Sequence, residues 1–279
     1  PCKFSLWLKL PGKVNIFLYS GFWRVSTTGV SLTMGNKELN VVYQDEHIVA
    51  IYKPAGLLVH RSPIDKHETR FAVQLLRDQL GRHVYPLHRL DRPTAGLLLF
   101  ALDSETASAM NAQMMSNGMQ KSYRALVRGY VNSAGMIDYA LKYRWDKYAD
   151  ADRTKQVAPQ TAHSDYWPLA HYELPFAVGR YATVRYSWLG LTPHTGRKHQ
   201  LRRHMLHLRH PIVGDTTHGD GKHNGFLRDQ FGCHRLMLVC VSMGFYHPVS
   251  GEWLTIQTQV DSEIEQLLVS WQPFLTWSQ

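Results

Sequence analysis

One continuous apolar run, Leu97–Leu102, constrains the fold of this chain more than any other feature. Its six residues contain no polar side chain, and this length is typical of a buried β-strand. Asp103 or Ser104 can then cap a helix, because Ala107, Met110 and Met114 follow at helical spacing on one face. The run therefore predicts a buried strand that leads directly into a helix.

In the rest of the chain, the spacing of hydrophobic residues is typical of strands in some segments and of helices in others. Further strands are predicted at Val41–Tyr43, Ile48–Tyr52, Tyr123–Val131, Thr183–Leu189, Leu236–Val241 and Trp253–Val260, and further helices over Glu68–Leu80, around Leu201–Leu208 and from Ile264 to Trp271. Residues 132–180 are expected to be rich in loops, because charges are scattered there among three prolines. Strands and helices without a regular strand–helix–strand order predict an α+β fold, with a largely antiparallel mixed sheet flanked by helices and loops.

The domain organisation follows from where this periodicity begins. Residues 39–279 contain no long linker and are expected to form one domain. Residues 1–38 lack clear periodicity and are interpreted as an extension of uncertain status. They are either an ordinary N-terminal segment or, up to a natural start at Met34, translated upstream sequence.

Composition narrows the class of protein. Hydrophobic residues make up 44% of the 279 residues, enough for a real core, and no apolar stretch approaches the ~18 residues of a membrane span. The formal net charge is +9, which favours a polyanionic partner such as nucleic acid. The three cysteines are too few for a disulfide framework, and their odd number fits a reducing compartment, so we expect a cytoplasmic protein.

The positive charge is concentrated near one predicted helix. Between Arg180 and Arg235 there are ten lysines and arginines but three acids, which favours RNA or DNA over a merely solvated face. The same segment contains eight histidines, and a metal site, as in a zinc hydrolase, is the alternative. Because arginines surround these histidines and acidic ligands are sparse, we expect no metal and interpret them as polar or phosphate-contacting groups.

The most unusual local chemistry lies directly before the buried strand, in His88-Arg89-Leu90-Asp91-Arg92-Pro93-Thr94-Ala95-Gly96. Neighbouring arginines would keep the Asp91 carboxylate ionised, which suits a nucleophile or a base better than a proton donor. On local chemistry alone, an aspartate that begins a proline-containing turn remains the simpler interpretation.

A resemblance to a known family favours the functional interpretation of Asp91. His88–Leu99 resembles the signature HRLDxxTSGLLL of the RluA-type pseudouridine synthases, and three further blocks agree in order: Lys53–His60, Gln120–Ala125 and Thr195–Arg202. The resemblance extends from about residue 39 to the C-terminus and departs at Ala95, where serine is usual. His210–Asp215 and the later Arg235–Leu238 most resemble the subgroup that isomerises the uridine at position 65 of tRNA.

The resemblance implies a role for each residue that matches the family pattern. Asp91 corresponds to the catalytic aspartate, which attacks the ribose or removes its 2′-proton. Tyr123 corresponds to the tyrosine that stacks on the base and removes the C5 proton, for which a nearby cation would help. Arg197 corresponds to the arginine that pairs with the aspartate. Arg89 corresponds to a residue that enters the RNA stack when the target nucleotide is flipped out.

Together these observations predict an RNA-modifying isomerase. The residues expected to bind RNA are Arg89, Arg92, Lys198, Arg202 and Arg203. The reaction is an isomerisation without redox change or group donor, so no metal and no organic cofactor are expected. The expected partner is tRNA, with large-subunit rRNA as the alternative substrate and a non-catalytic RNA-binding protein as the alternative class. We expect a monomer that does not bind membranes.

Overall fold

The computed structural model describes residues 38–61, 68–116, 118–143 and 158–279. In chain order the elements are β1 (Asn40–Gln44), β2 (Ile48–Lys53), α1 (Ala72–Leu80), β3 (Tyr85–Pro86), β4 (Ala95–Ala101), α2 (Ser104–Met115), β5 (Gln120–Arg128), β6 (Gly135–Asp138), β7 (His163–Leu174), β8 (Val184–Pro193), α3 (Gln200–His207), α4 (Gly221–Phe231), β9 (Leu238–Tyr246), β10 (Trp253–Gln257), α5 (Ser262–Ser270), a 3-10 turn (Gln272–Phe274) and β11 (Leu275–Ser278). Apart from Glu38, the predicted extension 1–38 lies outside the described residues, so both interpretations of it stay predictions.

The described strands join in one mixed sheet. Its main order is β1-β2-β4-β9-β5-β8-β7-β11, with β3, β6 and β10 paired to β4, β7 and β9. The pairing between β4 and β9 is parallel, at Ala95–Val239 and Gly96–Cys240, and the other pairs of named strands are antiparallel. The predicted α+β fold with a largely antiparallel mixed sheet is therefore confirmed.

Strand β4 is apolar throughout because both of its faces are covered. All seven of its residues are buried. Leu97 and Leu99 pack into the larger core, whereas Leu98 and Phe100 pack into a smaller one that contains Leu76 of α1. A strand covered on both faces requires a continuous apolar run instead of alternation, as the sequence indicated. Asp103 caps the following helix by accepting a hydrogen bond from the Thr106 amide at 2.7 Å.

The structure corrects two predictions about elements. Helix α1 begins at Ala72 instead of Glu68, because Phe71 is extended and forms a parallel bridge to Leu58. Residues 132–180 are not uniformly loop-rich, because β6 and the twelve-residue β7 lie there. Pro168 sits inside β7 at an irregularity of its register with β8, where a missing amide donor is tolerated. Among the described residues, no helix has the length and apolarity to cross a membrane.

Candidate active site

A cavity of about 710 Å³ opens where the loop 88–94, strand β5 and the start of α3 meet. Asp91 is the acid among its lining residues, and the basic lining residues are Arg89, Lys121, Lys142, Arg197, Lys198, Arg202 and Arg203. Tyr123 lines the same cavity. Seven of the eight site residues expected from the sequence thus lie around one cavity, although they come from three separate segments. The exception is Arg92.

The close approach of β4 to β9 fixes one end of the Asp91 loop. Gly96 has φ +109°, and a Cβ there would lie 2.1 Å from the Cys240 carbonyl oxygen. Only glycine fits this backbone and this contact. At the centre of the loop, the Thr94 amide donates to the Asp91 carbonyl oxygen at 3.0 Å, which closes a turn.

Lys53 ties this loop to the preceding one. Its fully buried ammonium donates to the carbonyl oxygens of Pro54, Leu57 and Arg92 at 2.9, 2.8 and 3.2 Å. Burial lowers the pKa of Lys53 to about 7, and the Arg235 charge adds to this effect, while Asp91 opposes it. Lys53 therefore acts as a buried clamp between the two loops. It lies in the block Lys53–His60 that resembles the family, but this role was not predicted from the sequence.

Arg92 completes the clamp on the outer side. Its Nε donates to the Gly56 carbonyl oxygen at 3.1 Å, and its guanidinium forms an ion pair with Glu68. It does not line the cavity that holds Asp91. The structure gives Arg92 a role in joining two loops, and its contact with RNA stays a prediction.

The carboxylate of Asp91 is held by Arg202. Nη1 of Arg202 lies 3.0 Å from Asp91 Oδ2, while Nε and Nη2 bind both oxygens of Asp215 at 2.7 and 2.8 Å. The side chains of Arg202 and Asp215 are 4% and 1% exposed, against 24% for Asp91. Burial opposes charge on Arg202, but the hydrogen bonds and charges of Asp215 and Asp91 together outweigh it, so the pKa of Arg202 is raised. The guanidinium stays charged and fixed in orientation.

Two predictions about arginines are corrected by this geometry. Arg197 does not pair with Asp91; its Nε donates to the Thr161 carbonyl oxygen at 3.0 Å. Arg202, expected on the RNA-binding surface, is buried and makes that pair instead. The reason is helical phase: α3 begins at Gln200, so the buried side of its first turn carries Arg202, whereas Arg197 precedes the helix.

Tyr123 lies on β5 opposite Cys240 and is 8% exposed. Burial raises its pKa well above 10, and Cys240 and Asp91 raise it further. The cation expected to favour its ionisation is not among the causes of this shift. Tyr123 therefore presents a protonated phenol to the cavity, which suits stacking and hydrogen bonding.

Lys121 lies two residues before Tyr123 on β5 and also lines the cavity. Burial lowers its pKa, with Cys240 opposing this effect, and burial raises the pKa of the Cys240 thiol to about 12. Lys121 forms no ion pair with a carboxylate of the described residues, so it is suited to an anionic occupant. Lys121 lies in the block Gln120–Ala125 that resembles the family, but no role was predicted for it.

The histidines of the basic segment lie in different environments. His204 contacts Ser164 Oγ at 3.0 Å, and His210 Nδ1 contacts the Arg128 carbonyl oxygen at 2.8 Å. Two of the histidines meet near the carboxylate: His199 Nδ1 lies 3.0 Å from His218 Nε2, and His199 Nε2 lies 3.9 Å from Asp91 Oδ2. In the described part of the chain, no three histidine, cysteine or acidic side chains form a group that could hold a metal.

Comparison with known proteins agrees with the family resemblance. Residues 47–207 match the family model described as RNA pseudouridylate synthase. A protein of Vibrio parahaemolyticus named tRNA pseudouridine synthase C is 53% identical over 234 residues, which cover 84% of this chain and 95% of the relative. A Yersinia pestis protein of the same name is 52% identical over 230 residues, covering 82% and 90%.

Solved structures share the fold. The human RNA pseudouridylate synthase domain containing 1 superposes with a TM-score of 0.62 at 24% identity, covering 86% of this chain and 98% of that one. The human RNA pseudouridylate synthase domain containing 4 gives the same TM-score at 22% identity, covering 86% and 95%. The fold expected from the resemblance is confirmed.

Proposed function

This chain belongs to the RNA pseudouridylate synthase family, and on that premise we propose that it converts the uridine at position 65 of tRNA to pseudouridine in the cytoplasm. The observation that carries the proposal is Asp91, a carboxylate aimed into a cavity by a buried arginine and surrounded there by cations. The relatives' names, which specify tRNA, support tRNA over rRNA as the substrate.

The reaction breaks the bond between N1 and C1′ and forms one between C5 and C1′, while a proton leaves C5 and N1 gains one. A uridine stacked in a duplex cannot present C1′ to Asp91, so the nucleotide is flipped into the cavity. Arg89, exposed at the cavity, is placed to fill the space that the base leaves. Asp91 then either attacks C1′ or removes the 2′-proton.

The cavity provides for the detached base. The Tyr123 ring offers a stacking surface, and the Lys121 ammonium can stabilise the negative charge that uracil carries after the glycosidic bond breaks. No step needs a metal or an organic cofactor, and the proposal assigns the whole activity to one copy of residues 39–279.

The test uses purified protein and two tRNA transcripts that differ only at position 65, uridine in one and cytidine in the other. Pseudouridine is mapped by carbodiimide modification and primer extension, beside a large-subunit rRNA transcript. We expect a signal at position 65 of the first tRNA alone. A signal confined to rRNA would contradict the proposed substrate.

The Asp91→Asn variant separates catalysis from binding. It should bind tRNA in a filter assay as the unaltered protein does but form no pseudouridine, because the nucleophilic oxygen is gone. Asp78→Asn, on the exposed side of α1 next to Arg77, is the matched control and should stay active. Product formation by Asp91→Asn, with deamidation excluded by mass spectrometry, would refute the role of Asp91.

A further inference from the structure

Two connections run from the buried Asp215 to Asp91. The first passes through Arg202. The second begins at the His218 amide, which donates to Asp215 Oδ1 at 2.9 Å, and continues from the His218 ring to His199. The pseudouridylate synthase chemistry described above uses the first connection and leaves the second without a role.

The backbone at His199 shows that this placement is enforced. His199 has φ +56°, a left-handed conformation that is uncommon for residues other than glycine, at the position immediately before α3. Such conformations cost free energy and persist where the surrounding structure determines them. His218 is buried, with 4% exposure, and its ring meets His199 from the segment after Asp215.

The hydrogen bond between the two rings fixes where the protons lie. A contact of 3.0 Å between His199 Nδ1 and His218 Nε2 needs one donor and one acceptor. If His199 donated, its Nε2 lone pair would face the Asp91 carboxylate. If His218 donates, His199 carries its proton on Nε2 and directs it toward Asp91, which is electrostatically favourable. Burial, with Arg202 and Lys198, lowers the pKa of His199 against the pull of Asp91, which favours this neutral form.

One hydroxyl oxygen can bridge the two groups from the side. At 3.9 Å, His199 Nε2 and Asp91 Oδ2 are too far apart for a direct hydrogen bond, but one oxygen can lie within hydrogen-bonding distance of both. Such an oxygen would accept from His199 and donate to Asp91. The ribose 2′-hydroxyl has both capacities and is two bonds from C1′, where Asp91 acts.

We propose that His199, oriented by His218, reads the 2′-hydroxyl of the target nucleotide together with Asp91, and so makes the enzyme selective for ribonucleotide over deoxyribonucleotide at that position. His218 is a positioning residue in this arrangement. The inference rests on the proposed function, because it needs the target ribose at Asp91.

The test compares two tRNAs assembled from synthetic fragments, with uridine or 2′-deoxyuridine at the position where the unaltered enzyme forms its product. In His218→Phe an aromatic ring remains and the donor is lost. We expect kcat/KM on the ribo substrate to fall about two- to tenfold, the value of a hydrogen bond between neutral groups. Turnover of the deoxy substrate should stay unchanged, because it lacks the hydroxyl that His199 reads.

His199→Asn is the second variant, because asparagine tolerates a left-handed backbone and its amide is shorter than the imidazole. It should show the same loss of kcat/KM on the ribo substrate alone, so it tests the inference if His218→Phe does not fold. The control is His223→Phe, which removes a histidine hydrogen-bonded to the Tyr186 hydroxyl outside the cavity and should alter both substrates equally or not at all.

An equal loss on both substrates in His218→Phe and His199→Asn would reduce the pair to a structural role and overturn the inference. An absence of any loss would also overturn it. Neither result affects the proposed function, which fails only if the unaltered enzyme forms no pseudouridine in tRNA.

Discussion

Arg202 is buried yet charged, and two carboxylates share its guanidinium. Asp215 binds it in a bidentate manner, so the third nitrogen is left in a fixed direction for Asp91. A buried ion pair does not by itself stabilise the folded protein, because the cost of removing the two charges from water offsets their attraction. The arrangement is better explained by orientation: it holds a reactive carboxylate in one place.

Arg202→Lys tests that explanation. Lysine keeps the charge but is a single point donor, so it cannot satisfy Asp215 and reach Asp91 at once. We expect pseudouridine formation to fall about a hundredfold, as a small misplacement of a reacting group can cause. The measurement is single-turnover product formation at saturating enzyme.

Arg197→Ala provides the contrast. Since Arg197 contacts the Thr161 carbonyl oxygen and not Asp91, its loss should reduce single-turnover rates far less than Arg202→Lys does. The reverse order of effects would show that Arg197 takes over the pairing when RNA is bound. Circular dichroism of both variants would establish that each is folded.

The sequence identified the segment that supplies the arginine but not which arginine. Arg197 and Arg202 lie in one recognised block, and choosing between them requires the phase of α3, which depends on its first residue. Predicted helix ends are uncertain by two or more residues, enough to turn a side chain from the core to the solvent. The contact between His199 and His218 was not predicted for a related reason, because they are nineteen residues apart and meet only in the fold.

At the scale of elements, the loop that carries Asp91 is held at two points that follow Asp91 in the chain. Lys53 clamps it to the preceding loop, and Gly96 brings β4 against β9. The sequence predicted β4 from its apolar run, and the strands predicted at Val41–Tyr43 and Ile48–Tyr52 lie in β1 and β2. It missed β7, because Pro168 and nearby charges resemble a loop until pairing with β8 supplies the reason for an extended chain.

Gly96→Ala should disrupt the junction of β4 and β9. The new Cβ would meet the Cys240 backbone at 2.1 Å in an unfavourable φ, so we expect a loss of about 3 kcal/mol in the free energy of unfolding. Gly81→Ala is the matched control: its φ is +64° but nothing lies within 4 Å, so only about 1 kcal/mol should be lost. Urea unfolding of both variants measures the difference, and equal losses would show that contact with Cys240 is unimportant.

Lys53 should make stability depend on pH. Its pKa in the folded protein is about 7 against an ordinary 10.5, so between these values the unfolded chain binds more protons. This contribution to the free energy of unfolding therefore rises with pH across the window, by roughly 1 kcal/mol per unit. Lys53→Met should remove that slope, and Lys222→Met, at an exposed position, should not. Urea unfolding at several pH values between 7 and 10 measures this slope. If Lys53 were uninvolved, the unfolding free energies of the unaltered protein and of Lys53→Met would change with pH in parallel.

At the scale of the whole molecule, the basic segment from Arg180 to Arg235 exposes fewer of its cations to solvent than its composition indicated. Arg202 is buried with Asp215, and Arg235 is 13% exposed and paired with Asp261 at 2.6 Å. Two of the ten cations between Arg180 and Arg235 are therefore committed to internal ion pairs. Composition gave the net charge of +9 correctly but could not show which cations face solvent.

The cations expected to meet RNA are those at the cavity, and salt dependence can identify them. Arg89 and Lys198 are exposed and line the cavity around Asp91. Each phosphate contact that is lost should reduce the slope of log affinity against log salt by about 0.7 to 0.9. Lys198→Ala should therefore weaken tRNA binding and flatten its salt dependence by about one contact, as measured by filter binding across a series of KCl concentrations.

Two comparisons make this measurement decisive. Arg77→Ala removes an exposed cation of α1 that is paired with Asp78 away from the cavity, and should leave the slope unchanged. Arg89→Ala should lower turnover more than affinity, because a side chain that replaces the flipped base acts after the first encounter. An unchanged slope in Lys198→Ala would place the phosphate contacts elsewhere on the molecule. Equal slope changes in Lys198→Ala and Arg77→Ala would mean that binding follows net charge and not the position of the cavity.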